Sequence, residues 1–263
     1  MVGIRNIKKQ SCRKFRVVII PSNIIFHEKL DSTNVFASSL LKTEPLSEGT
    51  VISAGVQTAG KGQMGASWES EEGKNLLISI ILYPKKVEIT EQFLISMTVS
   101  LGVFDFISSH AEGCKIKWPN DIYVFNDKIA GILIENSVMN SAIVNCIAGI
   151  GVNINQEKFV SAAPNPTSLK LITQYDFDIN DCFSELCQRL NKRYARLMSG
   201  AYNEIIDDYN ANLYRLNEWS RYSNSQGNFT GRILSAGSSG IITIETTDNE
   251  LREYAFKEVN YIR

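Results

Sequence analysis

Three lysines, an aspartate and a glycine loop carry most of the chemical information in this chain. Lys117-Trp118-Pro119-Asn120-Asp121 runs into Asn126-Asp127-Lys128-Ile129-Ala130-Gly131-Ile132-Leu133-Ile134-Glu135, so two cations and a carboxylate stand at the mouths of adjacent apolar strands. A site that holds charged phosphates against an apolar substrate pocket needs that arrangement. A second stretch, Gln57-Thr58-Ala59-Gly60-Lys61-Gly62-Gln63-Met64-Gly65 followed by Trp68, is a flexible glycine loop with a lysine inside it. Glycines let backbone N–H groups approach an anion, and the Lys61 ammonium supplies countercharge. Together the two stretches point to a nucleotide.

Taken singly, each feature has a plainer reading. A lysine among strand residues often only protects a sheet edge, a glycine loop is often a surface hairpin, and an aspartate commonly caps a turn. The weight lies in their company, which makes a polar cluster at one end of a sheet. Gly60-Lys61-Gly62-Gln63-Met64-Gly65 also matches G-x-G-x-x-G after a strand. A dinucleotide fingerprint, however, needs the third glycine to open a helix whose N-terminus receives the pyrophosphate. Residues 66–73 lack helical periodicity and lead into another strand, which argues against the Rossmann reading.

The elements that position these residues are legible as an alternation of strands and helices. Asn23 to Lys29 reads as a short strand, and Asp31-Ser32-Thr33-Asn34 offers N-caps for a helical run from Val35 to Leu41. Strands are predicted over Thr50 to Gln57 and Asn75 to Tyr83, and Phe93, Met97, Leu101 and Phe104 mark an amphipathic helix from about Glu91 to His110. Four strands follow: Lys115 to Trp118, Asp121 to Phe125, Lys128 to Glu135 and Ala142 to Asn153. Asn126-Asp127 signals a hairpin, and Pro119 belongs at a strand end, so long antiparallel pairs are implied. After a loop through Pro164 and Pro166, Phe183, Leu186, Leu190, Tyr194 and Leu197 share one helical face, and Tyr202, Ile205, Ile206 and Tyr209 another. From Asn217 the pattern changes to short strands over Glu218 to Tyr222, Phe229 to Leu234, Gly240 to Glu245 and Leu251 to Phe256, which read as a small β-barrel. The fold class is therefore α+β. Its expected divisions are a basic N-terminal extension over 1–22, a main domain over 23–215 and a barrel over 216–263.

Composition bounds the partners. The net charge of −1 over 263 residues gives no bulk reason to bind nucleic acid, so any phosphate site is local. Five cysteines without CxxC spacing read as reduced thiols, and two histidines argue against a histidine metal cluster. No apolar run reaches the roughly 18 residues of a membrane span, so we expect a soluble, cytoplasmic protein. The first 27 residues contain no Asp or Glu, and the first sixteen carry six Lys or Arg. That start reads as a solvated, poorly ordered extension, too short for a helix-turn-helix domain.

The chain resembles the biotin protein ligases over essentially all of residues 24 to 262. The resemblance rests on Asp31 to Asn34, Gln57 to Gly65 with Trp68, Lys117 to Asp121, Lys128 to Glu135, and Gly149-Ile150-Gly151-Val152-Asn153-Ile154-Asn155. It implies a class II synthetase-like catalytic domain, a mixed sheet flanked by helices, followed by an SH3-like barrel. It also implies a two-step activity. Biotin and ATP form biotinyl-5′-AMP with release of diphosphate, and a lysine of a biotin carboxyl carrier domain then attacks the mixed anhydride. The first step joins two anions, so the protein must offset their repulsion and align them.

By resemblance Lys128, Lys117 and Asp121 are the catalytic residues. Asp121 is also the candidate ligand for Mg2+, or the acceptor of a proton from the incoming lysine. Biotin falls to Ser32, Thr33, Asn34, Gln57, Lys61, Gly62, Gln63, Lys128 and Gly131. ATP falls to Lys61, Gly65, Trp68, Lys117, Asn120, Lys128 and Asn153. Trp118 and Trp68 would wall the valeryl tail or stack near adenine, or serve as plain core. Many relatives carry arginine at the positions of Lys61 and Gln63, where a guanidinium clasps an anion bidentately. With lysine and glutamine there, faster escape of biotinyl-AMP is expected. The expected partner is a carboxylase carrier domain, with no specific DNA binding, no membrane, and a monomer or a homodimer paired through Ala142 to Ile150. The alternatives are a lipoate or octanoate ligase or transferase, a biotin-responsive regulator, and an inactive binding protein.

Overall fold

The computed structural model describes residues 20–160 and 165–262. Most of the expected 1–22 extension, together with Cys12 and Pro164, lies outside the described residues. Ile20 belongs to the folded body: its side chain is buried in the main core and its N–H donates to Asn191 Oδ1 at 3.1 Å.

In chain order the first elements are β1 (Asn23–Leu30), α1 (Thr33–Thr43), β2 (Thr50–Gln57), β3 (Gly60–Lys61), β4 (Ser67–Trp68), β5 (Asn75–Leu82) and α2 (Phe93–Ser108). Then come β6 (Cys114–Lys117), β7 (Asp121–Val124), β8 (Asp127–Met139), β9 (Ala142–Asn153), α3 (Leu169–Thr173), α4 (Ile179–Ser199) and α5 (Tyr202–Ala211). Seven strands form one sheet in the order β1-β2-β5-β9-β8-β7-β6. Only β1 and β2 pair in parallel, so the sheet is mixed, as expected. β5, apolar from Leu76 to Leu82 except for Ser79, is buried on both faces. One face packs against α2, which lies close to α4 because Gly102 admits Leu190. The other carries α1, with Ala37 against Ile52, Ile81 and Ile147.

The differences from the sequence reading have local causes. β8 runs to Met139 rather than Glu135, because its last residues are mostly exposed and patternless and are held by pairing with β9. The five-residue α3 was not anticipated; Ser168 caps it by accepting from the Leu171 N–H. Pairing across a two-fold axis through Ala142 to Ile150 is corrected for Cys146–Ile150, whose backbone already pairs with β5 on one side and β8 on the other. An interior strand has no free edge to offer.

The C-terminal strands are β10 (Ser220–Asn224), β11 (Gly227–Ala236), β12 (Ile242–Thr246), β13 (Leu251–Tyr254) and β14 (Asn260–Tyr261). They form an antiparallel sheet ordered β13-β12-β11-β10-β14, irregular between Ile233 and Ser235. β13 and β14 stand at its two ends, and among the described residues no closed barrel is seen. This sheet is tied to the rest of the chain. Asn210 Nδ2 donates to the Ala236 carbonyl, and the buried Trp118 donates from Nε1 to the Gly240 carbonyl at 3.2 Å.

Among the described residues no helix is long and apolar enough to cross a membrane. Cys114, Cys146, Cys182 and Cys187 are free and buried. Burial pushes the Cys114 and Cys187 thiols up to about 12, Cys182 to about 11, and Cys146 upward as well. Iodoacetamide at pH 8 should therefore leave all four unmodified in the native protein and label them after unfolding in guanidinium, a difference read by mass spectrometry. A folded pKa above the unfolded value makes this contribution to stability complete below about pH 9 and lost as pH rises through the folded values.

Candidate active site

A row of paired residues crosses four strands at the end of the sheet. Lys117 is opposite Asp121, Asp121 opposite Gly131, and Gly131 opposite Gly151, so all four face the same side. Lys128 joins that face through a register shift between Ile122 and Tyr123. In a regular strand it would alternate away from Gly131, yet its Cε lies 3.4 Å from the point a Gly131 Cβ would occupy. The result is an ion pair, Lys128 Nζ to Asp121 Oδ1 at 2.7 Å, with Lys128 also 5.6 Å above the Trp68 ring. Lys117 donates to the Tyr123 hydroxyl at 3.0 Å and rests over the Tyr123 and Tyr261 rings.

The glycine loop folds across this face as the β3–β4 hairpin, with a short 3-10 turn over Gln63–Gly65. Trp68 lies on the glycine floor: a Cβ on Gly131 or Gly151 would come within 2.8 or 2.5 Å of its ring. Lys61 pairs with Ser67 in the hairpin and lines the space beneath.

The enclosed space is a cavity of about 380 Å³. Its inner end is built by the start of α1. Ser32 is the N-cap residue, a position at which serine ordinarily bonds a backbone N–H of the first turn. Here its side chain makes no capping bond and lines the cavity. Gln57 Oε1 accepts from the Thr33 N–H at 2.7 Å and from Thr33 Oγ1 at 3.1 Å, so the amide left to face a ligand is its donor end. Asn34 lines the cavity but is committed to protein groups. Its Nδ2 donates to Glu135 Oε2 at 2.7 Å and to the Leu133 carbonyl, and Ser79 lies 2.5 Å from its Oδ1.

Most sequence-predicted residues meet at this cavity: Ser32, Thr33, Asn34 and Gln57 at the inner end, Lys61, Gly62, Gln63 and Trp68 from the loop, and Lys117, Asn120, Asp121, Lys128 and Gly131 from the sheet. Gln63 Oε1 and Trp68 Nε1 are buried without a hydrogen-bond partner among the described residues. Asn120 spends its Nδ2 on the Ile132 carbonyl at 2.7 Å. Gly65 and Asn153 are not in the lining. Gly65, with φ of 84°, supplies the reversal that closes the 3-10 turn. Asn153 is buried and donates to the Thr167 carbonyl at 2.9 Å. The wall contributed by Phe256, Lys257, Val259, Asn260 and Tyr261 was missed. Nothing in their spacing marks them as site residues, because only the packing of the C-terminal sheet brings them there. Trp118, also in the lining, has its indole edge against Phe256, with 6.3 Å between ring centroids.

The family model for the biotin/lipoate A/B protein ligase family matches residues 26–153, the segment that supplies the α1 end, the loop and the lysine row. The chain is 28% identical to the bifunctional ligase/repressor BirA of Bacillus subtilis over 249 residues, covering 90% of this chain and 74% of that protein. It is 29% identical to the biotin--[acetyl-CoA-carboxylase] ligase of Paracoccus denitrificans over 198 residues, covering 72% of this chain and 80% of that one. The structure of the biotin protein ligase from Aquifex aeolicus in complex with biotin and ATP superposes with a TM-score of 0.75 at 26% identity, covering 92% of this chain and 99% of that one. Over residues 26–153 the chain is similar to the biotin/lipoate A/B protein ligase family. Both the sequence and the fold comparisons place its similarity with the biotin protein ligases.

Proposed function

We propose that this chain is an ATP-dependent ligase that activates biotin as biotinyl-5′-AMP and transfers it to a lysine of a biotin carboxyl carrier domain. The carrying observation is the polarity of the cavity. One end presents Lys117, Lys128 and Asp121, and the other presents Ser32, Thr33 and the donor end of Gln57 beside a glycine floor. A biotin ureido group brings two N–H donors and one carbonyl acceptor. Hydroxyl oxygens and an amide donor answer those needs, and each buried polar atom left unmatched costs about 1–3 kcal/mol. With the ring at that end, the valeryl carboxylate points toward the lysines. Lys128 then aligns the carboxylate with the α-phosphate and offsets the charge between them. The named relatives favour biotin over lipoate as the acid, and retention of free biotin but not free lipoate checks that choice.

Mg2+ fits this site as a companion of ATP. Among the described residues no group of three or more His, Cys, Asp or Glu side chains converges, and Asp121 is the one carboxylate in the lining. Magnesium commonly binds through one or two carboxylates together with substrate phosphates. Bound there, it would neutralise phosphate charge. Asp121 holds Lys128 in place and is also the group placed to take a proton from the incoming lysine, which must be neutral to attack.

We further propose 23–215 as the catalytic domain and the C-terminal sheet as a barrel of SH3 type; the register shift in β11 between Ile233 and Ser235 supports the latter. Buried free thiols suit the reducing cytoplasm. The name of the Bacillus subtilis relative includes a repressor role. Our reading of this chain has no specific DNA binding, which a gel-shift with its own promoter region tests.

The function test is incubation with biotin, ATP, Mg2+ and an apo carrier domain, following the carrier's mass. A carrier that gains no biotin, with no diphosphate released, sinks the reading. Gln63→Arg is expected to slow escape of biotinyl-AMP several-fold, since Gln63 lines the cavity with an unpartnered buried oxygen where a guanidinium would offer donors. Trapping of released adenylate in single turnovers measures the change, and equal escape from both proteins counts against it.

A further inference from the structure

We propose that a second cavity, of about 300 Å³, is an annex that holds the β- and γ-phosphates of ATP and then the departing diphosphate, with Arg215 as its principal grip. This rests on the adenylating role given to the main cavity. The annex adjoins it through Lys117 and Tyr261, which line both.

Its lining carries two cations, Lys117 and Arg215, with Tyr123, Tyr214, Tyr261 and two asparagines, and no carboxylate among the described residues. Such a wall favours a polyanion. The cations are mounted on a run of neighbouring aromatic rings. Tyr123 and Tyr214 are 5.4 Å apart and Tyr214 and Tyr261 6.1 Å, with Lys117 over the first and third and Arg215 over the second. Tyr214 is itself fixed by donating to Asn126 Oδ1 at 2.7 Å. Arg215 Nη1 donates to the Ile262 carbonyl at 3.1 Å, which uses one of the five N–H donors of a guanidinium and leaves the fork available to phosphate oxygens.

Two further observations point to a ligand. The Tyr261 hydroxyl is buried with no hydrogen-bond partner among the described residues, beside the shared wall. Arg215 also adopts φ of 60°, a conformation that suits glycine or asparagine and is strained for a long side chain. Strain of this kind persists where the position of a side chain matters.

In adenylation a carboxylate oxygen of biotin bonds to the α-phosphorus. The bond from that phosphorus to the bridging oxygen of the β-phosphate breaks, and the bridging oxygen keeps the electron pair as diphosphate leaves. Negative charge therefore grows on the side of the α-phosphate where Lys117 and Arg215 stand, and it is offset there.

The test compares native protein with Arg215→Asn, which relieves the backbone while removing the charge, and Arg215→Lys, which keeps the charge. KM for ATP, KM for biotin, inhibition by added diphosphate, and melting temperature are measured. Arg215→Asn should raise the KM for ATP and the diphosphate inhibition constant about tenfold each, with biotin KM within twofold and no lower melting temperature; Arg215→Lys should fall between. Unchanged diphosphate inhibition in Arg215→Asn overturns the annex, as does a parallel rise of both KM values with a lower melting temperature. If native protein makes no biotinyl-AMP, the ligase reading fails; if it does and diphosphate inhibition is unmoved, the annex alone fails.

Discussion

Lys128→Ala should lower biotin- and ATP-dependent diphosphate release by about 10³-fold while leaving the fold intact. The estimate comes from the charges the reaction brings together. Two unit anions about 3.5 Å apart, at an effective dielectric of about 20, repel by roughly 5 kcal/mol. A barrier change of that size corresponds to between three and four powers of ten in rate. Lys128 is the cation held in the cavity by an ion pair, 2.7 Å from Asp121, so its loss removes attraction and also releases an unpaired carboxylate into a space that must accept two more anions. Asp121→Asn should cost much less, about tenfold, because the lysine remains. The double variant Lys128→Ala/Asp121→Asn should lose less than the product of the two single losses, since the second change removes the repulsion that the first exposes. A Lys128→Ala rate within tenfold of native would mean that the positive charge used in the chemistry comes from elsewhere.

How much of this site was legible depended on the scale at which each residue is placed. Lys117 and Asp121 flank a proline at a strand end, so a hairpin was enough to bring them opposite each other, and the sequence carries that signal in four consecutive steps. Thr33 and Gln57 meet because β1 and β2 pair in parallel, and that neighbourhood is not marked in the pattern of either segment. Lys128 is a harder case. Strand parity alone assigns it to the face opposite Gly131; its nearness in sequence to Lys117 and Asp121 put it in the cluster, and the resemblance to relatives gave it a catalytic role. The register shift after Ile122 reconciles the two, and a one-residue irregularity of that sort has no compositional mark. Gly65 and Asn153, assigned to ATP through the motifs they belong to, lie outside the cavity lining, one in a left-handed turn and the other in a buried bond to Thr167. The Phe256–Tyr261 wall was out of reach altogether. β14 is two residues long, and its place beside the lysines follows from contacts such as Trp118 with Gly240, between parts of the chain more than a hundred residues apart.

The second large effect is expected where a glycine meets an asparagine. A Cβ on Gly149 would lie 2.2 Å from Asn34 Oδ1 and 2.8 Å from its Cγ, far inside contact distance. Whether that matters depends on whether Asn34 can yield. It is buried and held at both ends of its amide, by Glu135 and Leu133 on one side and Ser79 on the other. Moving it breaks hydrogen bonds that have no water to replace them, and shifts the first turn of α1, which also carries Ser32 and Thr33. Gly149→Ala should therefore cost roughly 3 kcal/mol of stability through overpacking and lost buried bonds. For a chain of this size that is a fall of about 6–12 °C in melting temperature. The KM for biotin should rise more than tenfold, because the hydroxyls that meet the ureido ring move with the helix. Gly237→Ala is the matched control, as the nearest atom to its added carbon is 3.8 Å away and no strain is expected. Asn34→Ala separates the two causes. Combined with Gly149→Ala it removes the collision, so the double variant should be more stable than the sum of the single losses allows. Additive losses would show that the added methyl acts on the sheet itself, and that the inner end of the cavity is not braced through Asn34.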